Sequence, residues 1–136
     1  MPEKPQILIV EDEVDMCWVL KNILMLTDLK THFATSGKDG IKLLERFHQK
    51  IKLIFLDIKL PDIDGRKIAS LIRKHYPEIK IIIITGFYYH DTEVIQQGLN
   101  NGLFDWFISK PFNISEIRAV IEKVLPSVIS QNFAVS

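Results

Sequence analysis

The amino-acid sequence predicts an α/β domain in which five parallel strands form one doubly wound sheet covered by five helices. The first observation is alternation, because five short apolar runs are each followed by a stretch with helical spacing of apolar residues. The second is that residues 79–85 are apolar on both strand faces, as in a buried central strand. Strict alternation of this kind is typical of a parallel sheet with helices on both faces.

The strands are short apolar runs bounded by turn-forming residues. They are predicted within residues 6–12, 31–35, 52–56, 79–85 and 106–110. The helices are predicted at residues 14–28, 40–50, 66–75 and 91–100, with a last helix between Asn113 and Pro126. Ser36 and Asn113 are expected to cap the second and fifth helices. Gly98 and Gly102 lower the helical propensity around the fourth helix.

Composition excludes several classes of protein. Seventeen basic residues balance seventeen acidic ones, which argues against non-specific attraction to nucleic acid or membranes. The polar start MPEKPQ is unlike a signal peptide, and no apolar run has the length of a membrane span. A single cysteine, Cys17, excludes an internal disulfide and fits a reducing compartment. We therefore expect one cytoplasmic domain that binds neither nucleic acid nor membrane directly.

Polar side chains stand at the ends of four predicted strands. Glu11 and Asp12 follow the first strand, Asp57 ends the third, Thr85 the fourth and Lys110 the fifth. The carboxyl ends of parallel strands meet at one edge of the sheet, where open α/β folds bind ligands. Three carboxylates, a hydroxyl and an amine are therefore predicted to converge in one crevice.

Clustered carboxylates repel one another, so this crevice is predicted to hold a hard divalent cation, Mg²⁺ or Mn²⁺. Asp12 and Asp57 are the expected direct ligands, and Glu11 is expected to reach the ion through water. A carboxylate can accept a phosphoryl group when a metal and cations spread the transferring charge. In such a reaction Asp57 would receive the group, while Lys110 and Thr85 would bind its oxygens.

Four motifs stand in order at the strand ends: ILIVEDE, LDIKLPDIDG, IIIITG and FISKPF. From about residue 6 to residue 125 the chain resembles the receiver domain of two-component response regulators, which has a flavodoxin-like fold. Residues 126–136 would then be a short C-terminal tail or the start of a linker. The resemblance implies that Asp57 is the phosphorylated aspartate and that the backbone carbonyl of Lys59 is a third protein ligand of the metal. Glu11 stands where the family more often has aspartate.

The same resemblance implies a conformational switch. Thr85 matches the switch hydroxyl, and Lys110 matches a lysine that is joined to a proline, here Pro111, through a cis peptide bond. The switch aromatic is left open between Phe107 and Trp106, because counts from the two flanking motifs give registers one residue apart. The count back from Lys110 favours Phe107, and the mismatch suggests a one-residue insertion.

By this resemblance the protein is a phosphoacceptor signalling domain and not a turnover enzyme. A histidine kinase or phosphotransfer protein would donate the phosphoryl group, and the altered surface would comprise the fourth helix, the fifth strand and the fifth helix. The response would pass to a downstream protein target, to an output domain absent from this chain, or to a phosphorylation-linked dimer.

Other functions and simpler roles fit part of the same pattern. A haloacid-dehalogenase-type phosphatase needs a second acid two residues after its aspartate nucleophile, where this chain has Lys59. A receiver-like interaction module that acts without phosphorylation stays open, although every group needed for phosphorylation is present. Asp62 and Asp64, in the loop after the third strand, are interpreted as turn-forming residues.

Aromatic and apolar residues outside the predicted core are candidates for a partner surface. Trp18 and Met25 lie opposite the apolar stripe of the first helix, and Phe87, Tyr88 and Tyr89 follow the fourth strand. A phosphodonor helix pair lying on the first helix would present its histidine to the phosphoacceptor aspartate. Packing within the fold is the alternative for both groups.

Overall fold

The computed structural model describes residues 4–25, 29–86 and 91–126, apart from the side chains of residues 91 and 92. The strands within these residues are β1 (Gln6–Val10), β2 (Thr31–Ala34), β3 (Ile51–Asp57), β4 (Lys80–Thr85) and β5 (Trp106–Ser109). The helices are α1 (Val14–Leu24), α2 (Gly37–Phe47), α3 (Gly65–His75), α4 (Asp91–Asn100) and α5 (Ile114–Val124). The strands form one sheet in the order β2-β1-β3-β4-β5, and every pairing is parallel. The predicted doubly wound, flavodoxin-like fold is therefore confirmed.

The order of the strands creates a crevice between β1 and β3. β2 lies on one side of β1, whereas β3, β4 and β5 follow one another on the other side. The connections leaving β1 and β3 therefore run to opposite faces of the sheet, and ligands of open parallel sheets bind at such a point. Glu11 follows β1 and Asp57 ends β3, so both stand at this crevice.

Both predicted helix caps are formed. Ser36 Oγ accepts a hydrogen bond from the N–H of Asp39 at 3.2 Å, and Asn113 Oδ1 accepts one from the N–H of Glu116 at 2.9 Å. α2 therefore begins directly after Ser36, as the predicted cap implies, three residues before the run that starts at residue 40. The cap determines where this helix begins, whereas the first apolar residue of the stripe comes later.

The bounds of α1 and α4 can also be compared with those predicted from the sequence. α1 ends at Leu24, and residues 26–28, which complete the predicted first helix, lie outside the described residues. α4 has its predicted bounds in spite of Gly98, because that glycine lets the helix approach the ring of Phe104, which a Cβ atom would overlap. Among the described residues, every helix is too short or too polar to span a bilayer.

Side chains alternate between the two faces of the sheet and form two apolar clusters. One cluster joins the sheet to α1 and α5, and the other joins it to α2, α3 and α4. In β4, Ile82 and Ile84 belong to the first cluster, whereas Ile81 and Ile83 belong to the second, and all are fully buried. Burying one such side chain contributes about 1.5–3 kcal/mol, so β4 is a rigid support for the Thr85 that ends it.

Candidate functional site

Within the described residues three polar or charged residues are almost fully buried, and all three stand at the carboxyl edge of the sheet. Glu11 is 0% exposed, and Asp57 and Thr85 are each 5% exposed. Burying a polar group without partners costs roughly 2–7 kcal/mol. The groups that surround these three side chains therefore define the candidate site.

The carboxylates of Glu11, Asp12 and Asp57 form the predicted acidic cluster. Each offers an oxygen that lies within 4.8 Å of the other two. Asp12 is exposed at the rim, whereas the other two are buried. Glu11 Oε1 is buried and receives no hydrogen bond. An all-oxygen donor set of this kind is suited to a hard divalent cation.

Lys110 is the cation that faces this cluster. Its Nζ lies 2.7 Å from Glu11 Oε1, 2.7 Å from Glu13 Oε1 and 3.3 Å from Asp57 Oδ2. The contact with Glu11 has the distance of an ion pair, although its geometry is not that of a hydrogen bond. The peptide bond between Lys110 and Pro111 is cis, which is the isomer that the resemblance implies.

The charges in this crevice are unequal. Burial raises the pKa of Glu11 to about 8, the contact with the Asp57 carboxyl adds to the rise, and Lys110 opposes it. Burial by itself would lower the pKa of Lys110, but the contacts with Glu11 and Glu13 outweigh burial and raise it. The Lys110 ammonium therefore keeps its charge. A cation bound beside Glu11 would displace the proton that burial favours on the Glu11 carboxyl.

The loop after β3 orients the Asp57 carboxylate. Asp57 Oδ1 accepts a hydrogen bond from the backbone N–H of Lys59 at 2.9 Å. Lys59 forms an isolated antiparallel bridge with Asp64, and the N–H of Gly65 bonds to the carbonyl of Ile58 at 2.8 Å. A Cβ atom at Gly65 would overlap the Asp57 carbonyl, so this close return of the chain requires glycine.

Strand register separates the two candidate switch aromatics. Thr85 pairs with Ser109, and Ile83 pairs with Phe107, so Phe107 lies on the same face of the sheet as Thr85. Phe107 packs with the apolar cluster of α2, α3 and α4. Trp106 lies on the opposite face, where the Nζ of Lys123 is 4.0 Å from its ring centroid.

The Thr85 hydroxyl already has partners in this arrangement. Its Oγ1 is 3.3 Å from the carbonyl oxygen of Ile108 and 3.3 Å from Ser109 Oγ. Both distances are long for O–H···O hydrogen bonds, so neither contact is strong. The Thr85 side chain can therefore exchange them for a better acceptor at little cost.

Comparison with known proteins decides the family. A family model of the response regulator receiver domain matches residues 7–122. The chain belongs to the receiver domain family. It is thus a receiver domain of two-component response regulators, as the motifs predict, and the phosphatase alternative is not favoured. Domains of this family are phosphoacceptors that bind Mg²⁺ at an acidic site, and their partners are histidine kinases or phosphotransfer proteins.

Curated relatives share the receiver domain but differ in length. Regulatory protein AtoC of Escherichia coli (strain K12) is 30% identical over 120 residues, which cover 88% of this chain and 25% of that protein. Sporulation initiation phosphotransferase F of Bacillus subtilis (strain 168) is 30% identical over 121 residues, covering 89% of this chain and 94% of that protein. The chain thus spans about a quarter of AtoC and nearly all of the phosphotransferase.

Solved structures show the same receiver fold. A CheY-like response regulator receiver domain protein from Methanospirillum hungatei JF-1 superposes with a TM-score of 0.79 at 26% identity, covering 94% of this chain and 98% of that one. A response regulator receiver domain protein from Clostridium thermocellum superposes with a TM-score of 0.82 at 22% identity, covering 91% and 96% of the two chains. At that lower identity the second likeness concerns the fold alone.

Three features of this receiver domain were missed by reasoning from the sequence. Glu13 contacts Lys110, as does the Glu11 that precedes it by two residues, and the run EDE was the available signal. Asp62 is more than a turn former, because its carboxylate bonds to the start of α2. Asp64 caps α3 by accepting a hydrogen bond from the N–H of Arg66 at 2.8 Å.

The predicted partner surface divides into two parts. Trp18 is 66% exposed and Met25 is 64% exposed, as expected for the outer face of α1. Phe87, Tyr88 and Tyr89 lie outside the described residues.

Proposed function

We propose that Asp57 is the phosphoacceptor of this receiver domain and that Lys110 and Thr85 bind the transferred phosphoryl group. One observation carries the proposal: the buried Asp57 carboxylate lies beside the Lys110 ammonium and two further carboxylates, those of Glu11 and Asp12, at one edge of the sheet. Asp57 ends β3 at the crevice and has one oxygen held by the N–H of Lys59. Its other oxygen faces Lys110 at 3.3 Å, and we assign the bond to phosphorus to that oxygen.

The acidic cluster fits a divalent cation, and we assign Mg²⁺ or Mn²⁺ to it. Asp12 and Asp57 would bind the ion directly, the backbone carbonyl of Lys59 would complete the protein ligands, and Glu11 would bind through water. The all-oxygen donor set, in which one oxygen from each carboxylate lies within 4.8 Å of the other two, supports this assignment. When bound, the cation neutralises negative charge that develops on the transferring group.

Phosphoryl transfer requires Asp57 and the donor to exchange one bond to phosphorus. An Asp57 oxygen forms its bond to phosphorus while the bond from phosphorus to the donor histidine nitrogen breaks with its electron pair. The departing imidazole is neutral when its other ring nitrogen carries a proton. Lys110 meets a phosphoryl oxygen and balances part of its charge, for which its fully charged state is required.

The switch begins at Thr85. Its weak contacts with Ile108 and Ser109 are given up when the hydroxyl donates to a phosphoryl oxygen. Phe107, which lies on the same face, then turns into the space that Thr85 leaves. The affected surface is α4, β5 and α5, through which the domain would act on a downstream protein, an output domain or a second copy.

A phosphodonor is proposed to dock on α1. Trp18 and Val14 on this helix and Met25 at its C-cap are exposed, and aromatic residues and methionine are enriched in interfaces. α1 begins directly beyond the acidic residues, so a helix pair of a histidine kinase or phosphotransfer protein lying on it would bring its histidine to Asp57.

We further assign residues 6–125 to the receiver domain and residues 126–136 to a tail or linker. We assign the protein to the cytoplasm, with no turnover activity and no direct contact with nucleic acid.

The test is labelling by acetyl phosphate with and without Mg²⁺. Wild-type protein should acquire an acid-labile phosphate only with Mg²⁺, and Asp57→Asn should acquire none. Asp39→Asn, which changes an exposed acid in the first turn of α2, is the control and should label like wild type. Persistent labelling of Asp57→Asn would overturn the assignment of the phosphoacceptor.

A further inference from the structure

The carboxylate of Asp62 joins two segments that are far apart in the sequence. Its Oδ1 accepts a hydrogen bond from the backbone N–H of Gly37 at 2.8 Å, and its Oδ2 accepts one from the N–H of Lys38 at 2.9 Å. Asp62 lies in the loop between β3 and α3, whereas Gly37 and Lys38 are the first two residues of α2. One side chain therefore fastens that loop to the beginning of a helix.

These two bonds complete the N-terminus of α2. A helix begins with N–H groups that have no partner within the helix. The N–H of Asp39 bonds to Ser36 Oγ at 3.2 Å and that of Gly40 to the Ser36 carbonyl at 3.0 Å, so the cap Ser36 serves the third and fourth groups. Asp62 serves the first two, and the hydrogen bonds from Lys38 and then Gly37 lower the pKa of its carboxyl.

The backbone of α2 is packed closely against the same loop. A Cβ atom at Gly37 would lie 3.0 Å from Ile63 Cβ and 3.2 Å from Asp62 Oδ1. These distances are tighter than an ordinary contact, so even an alanine at Gly37 would push the helix and the loop apart. The absence of a side chain at Gly37 thus allows Asp62 to reach both N–H groups.

The fastened loop is the one that shapes the phosphoacceptor site. Its first turn contains Lys59, whose N–H binds Asp57 Oδ1 at 2.9 Å. Lys59 also bridges to Asp64, so the two sides of the loop move together. With its base closed at Gly65 and its tip fixed to α2, the loop has little freedom to shift the backbone of Lys59.

We propose that Asp62 is a positioning residue for the cation site, because its bonds to α2 hold the loop in the geometry that presents Lys59 and Asp57 to a divalent cation. This inference rests on the proposed function, in which the Lys59 carbonyl and the Asp57 carboxylate are ligands. Asp62 itself touches neither the cation nor the phosphoryl group. Its effect is exerted through the backbone of the loop.

The test measures Mn²⁺ binding from the electron paramagnetic resonance signal of the free ion. Asp62→Ala removes both bonds to α2, and Asp62→Glu keeps the charge but displaces the carboxylate by one methylene group. Both variants are expected to bind Mn²⁺ about five- to tenfold more weakly than wild type. Ser36→Ala is the matched control, because it removes a cap from the same helix without touching the loop, and it should bind Mn²⁺ as wild type does.

The variants separate positioning from the simpler explanations. If Asp62 only stabilises α2, the melting temperature will fall in Asp62→Ala and Ser36→Ala alike while Mn²⁺ affinity stays constant in both, and the inference is wrong. If only the charge of Asp62 matters, Asp62→Glu will bind like wild type, which also overturns it. If the alanine variant does not fold, Asp62→Asn takes its place, because the asparagine oxygen can accept one of the two bonds and the NH2 group cannot accept the other. Weaker Mn²⁺ binding is expected again, and unchanged binding overturns the inference. Failure of wild-type protein to bind Mn²⁺ would instead refute the proposed cation site.

Discussion

Replacing Glu13 by glutamine is expected to speed phosphorylation of the domain by small phosphodonors. Glu13 Oε1 lies 2.7 Å from Lys110 Nζ, whereas Asp57 Oδ2 is 3.3 Å from the same nitrogen. In the proposed reaction Lys110 has to place its charge on the incoming phosphoryl group. Glu13 therefore stabilises the resting arrangement of Lys110, and this contact weakens before the transition state is reached.

The size of the effect follows from the exposure of the pair. The Glu13 side chain is 58% exposed, so water screens its attraction to Lys110. Exposed ion pairs contribute about 0.2–1 kcal/mol. If the transition state lacks this contact, the barrier in Glu13→Gln falls by the same amount, and the rate rises roughly 1.4- to 5-fold. The lost negative charge at the mouth of the site adds a further gain that salt suppresses.

The assay is the second-order rate constant for labelling by acetyl phosphate at saturating Mg²⁺, measured at low and high ionic strength. Asp15→Asn is the matched control, because Asp15 lies in the first turn of α1, two residues after the N-cap Glu13. Among the described residues it is not one of the carboxylates paired with Lys110. Glu13→Gln should be faster than this control at both salt concentrations. Equal acceleration in the two variants would indicate charge repulsion alone, and an unchanged or slower rate in Glu13→Gln would refute the restraint of Lys110.

Three further outcomes are expected. Trp18→Ala should slow phosphotransfer from a cognate histidine kinase or phosphotransfer protein about tenfold, or about 1.4 kcal/mol, and leave acetyl phosphate labelling unchanged; equal slowing with both donors would contradict docking on α1. Arg73→Ala should lower the free energy of unfolding, measured in urea, by about 2 kcal/mol. The reason is that Arg73 bonds to Asp105 at 2.6 Å and to the Ile79 carbonyl at 2.9 Å. The control Lys74→Ala should change the free energy of unfolding little. Because the folded-state pKa of Glu11 is raised from 4.5 to about 8, its contribution to stability is fully present below pH 4.5 and is lost as the pH rises through 8. Without divalent cations Glu11→Gln should therefore gain stability relative to wild type between those pH values, and equal pH profiles of the two proteins would contradict the shifted pKa.

Much of the site could be predicted because the topology of a parallel sheet determines which residues meet. Asp57 and Thr85 end neighbouring strands, and Lys110 follows the next one, so alternation of strands and helices alone brings them to one edge. Within β5, successive side chains point to opposite faces of the sheet, so Phe107 and Trp106 lie on opposite faces. What the sequence left open was the register of β5, which pairing with β4 determines.

The remaining features depend on side chains that meet across long stretches of sequence. Glu13 and Lys110 are 97 residues apart, and the run EDE does not reveal which acid the lysine will contact. Arg73 and Asp105 are 32 residues apart in the sequence. Their ion pair holds the segment before β5, for which the sequence suggests only a one-residue insertion. Local motifs identify which residue types gather at an edge, but they do not rank the contacts among several equivalent acids.

The contacts of Glu13 and Asp62 bear on how a phosphoryl group would affect the rest of the domain. Glu13 is the N-cap residue of α1, so a change in the position of Lys110 acts on the start of that helix as well as on β5. Asp62 connects the loop beside Asp57 to α2 in the same direct way. A rearrangement at Asp57 is therefore expected to reach α1 and α2 through single hydrogen-bonded contacts, whereas α4 is reached through the apolar packing of Phe107. Charged contacts at a helix start respond to charge within the first turn, so α1 would respond to phosphorylation at the face on which a donor docks.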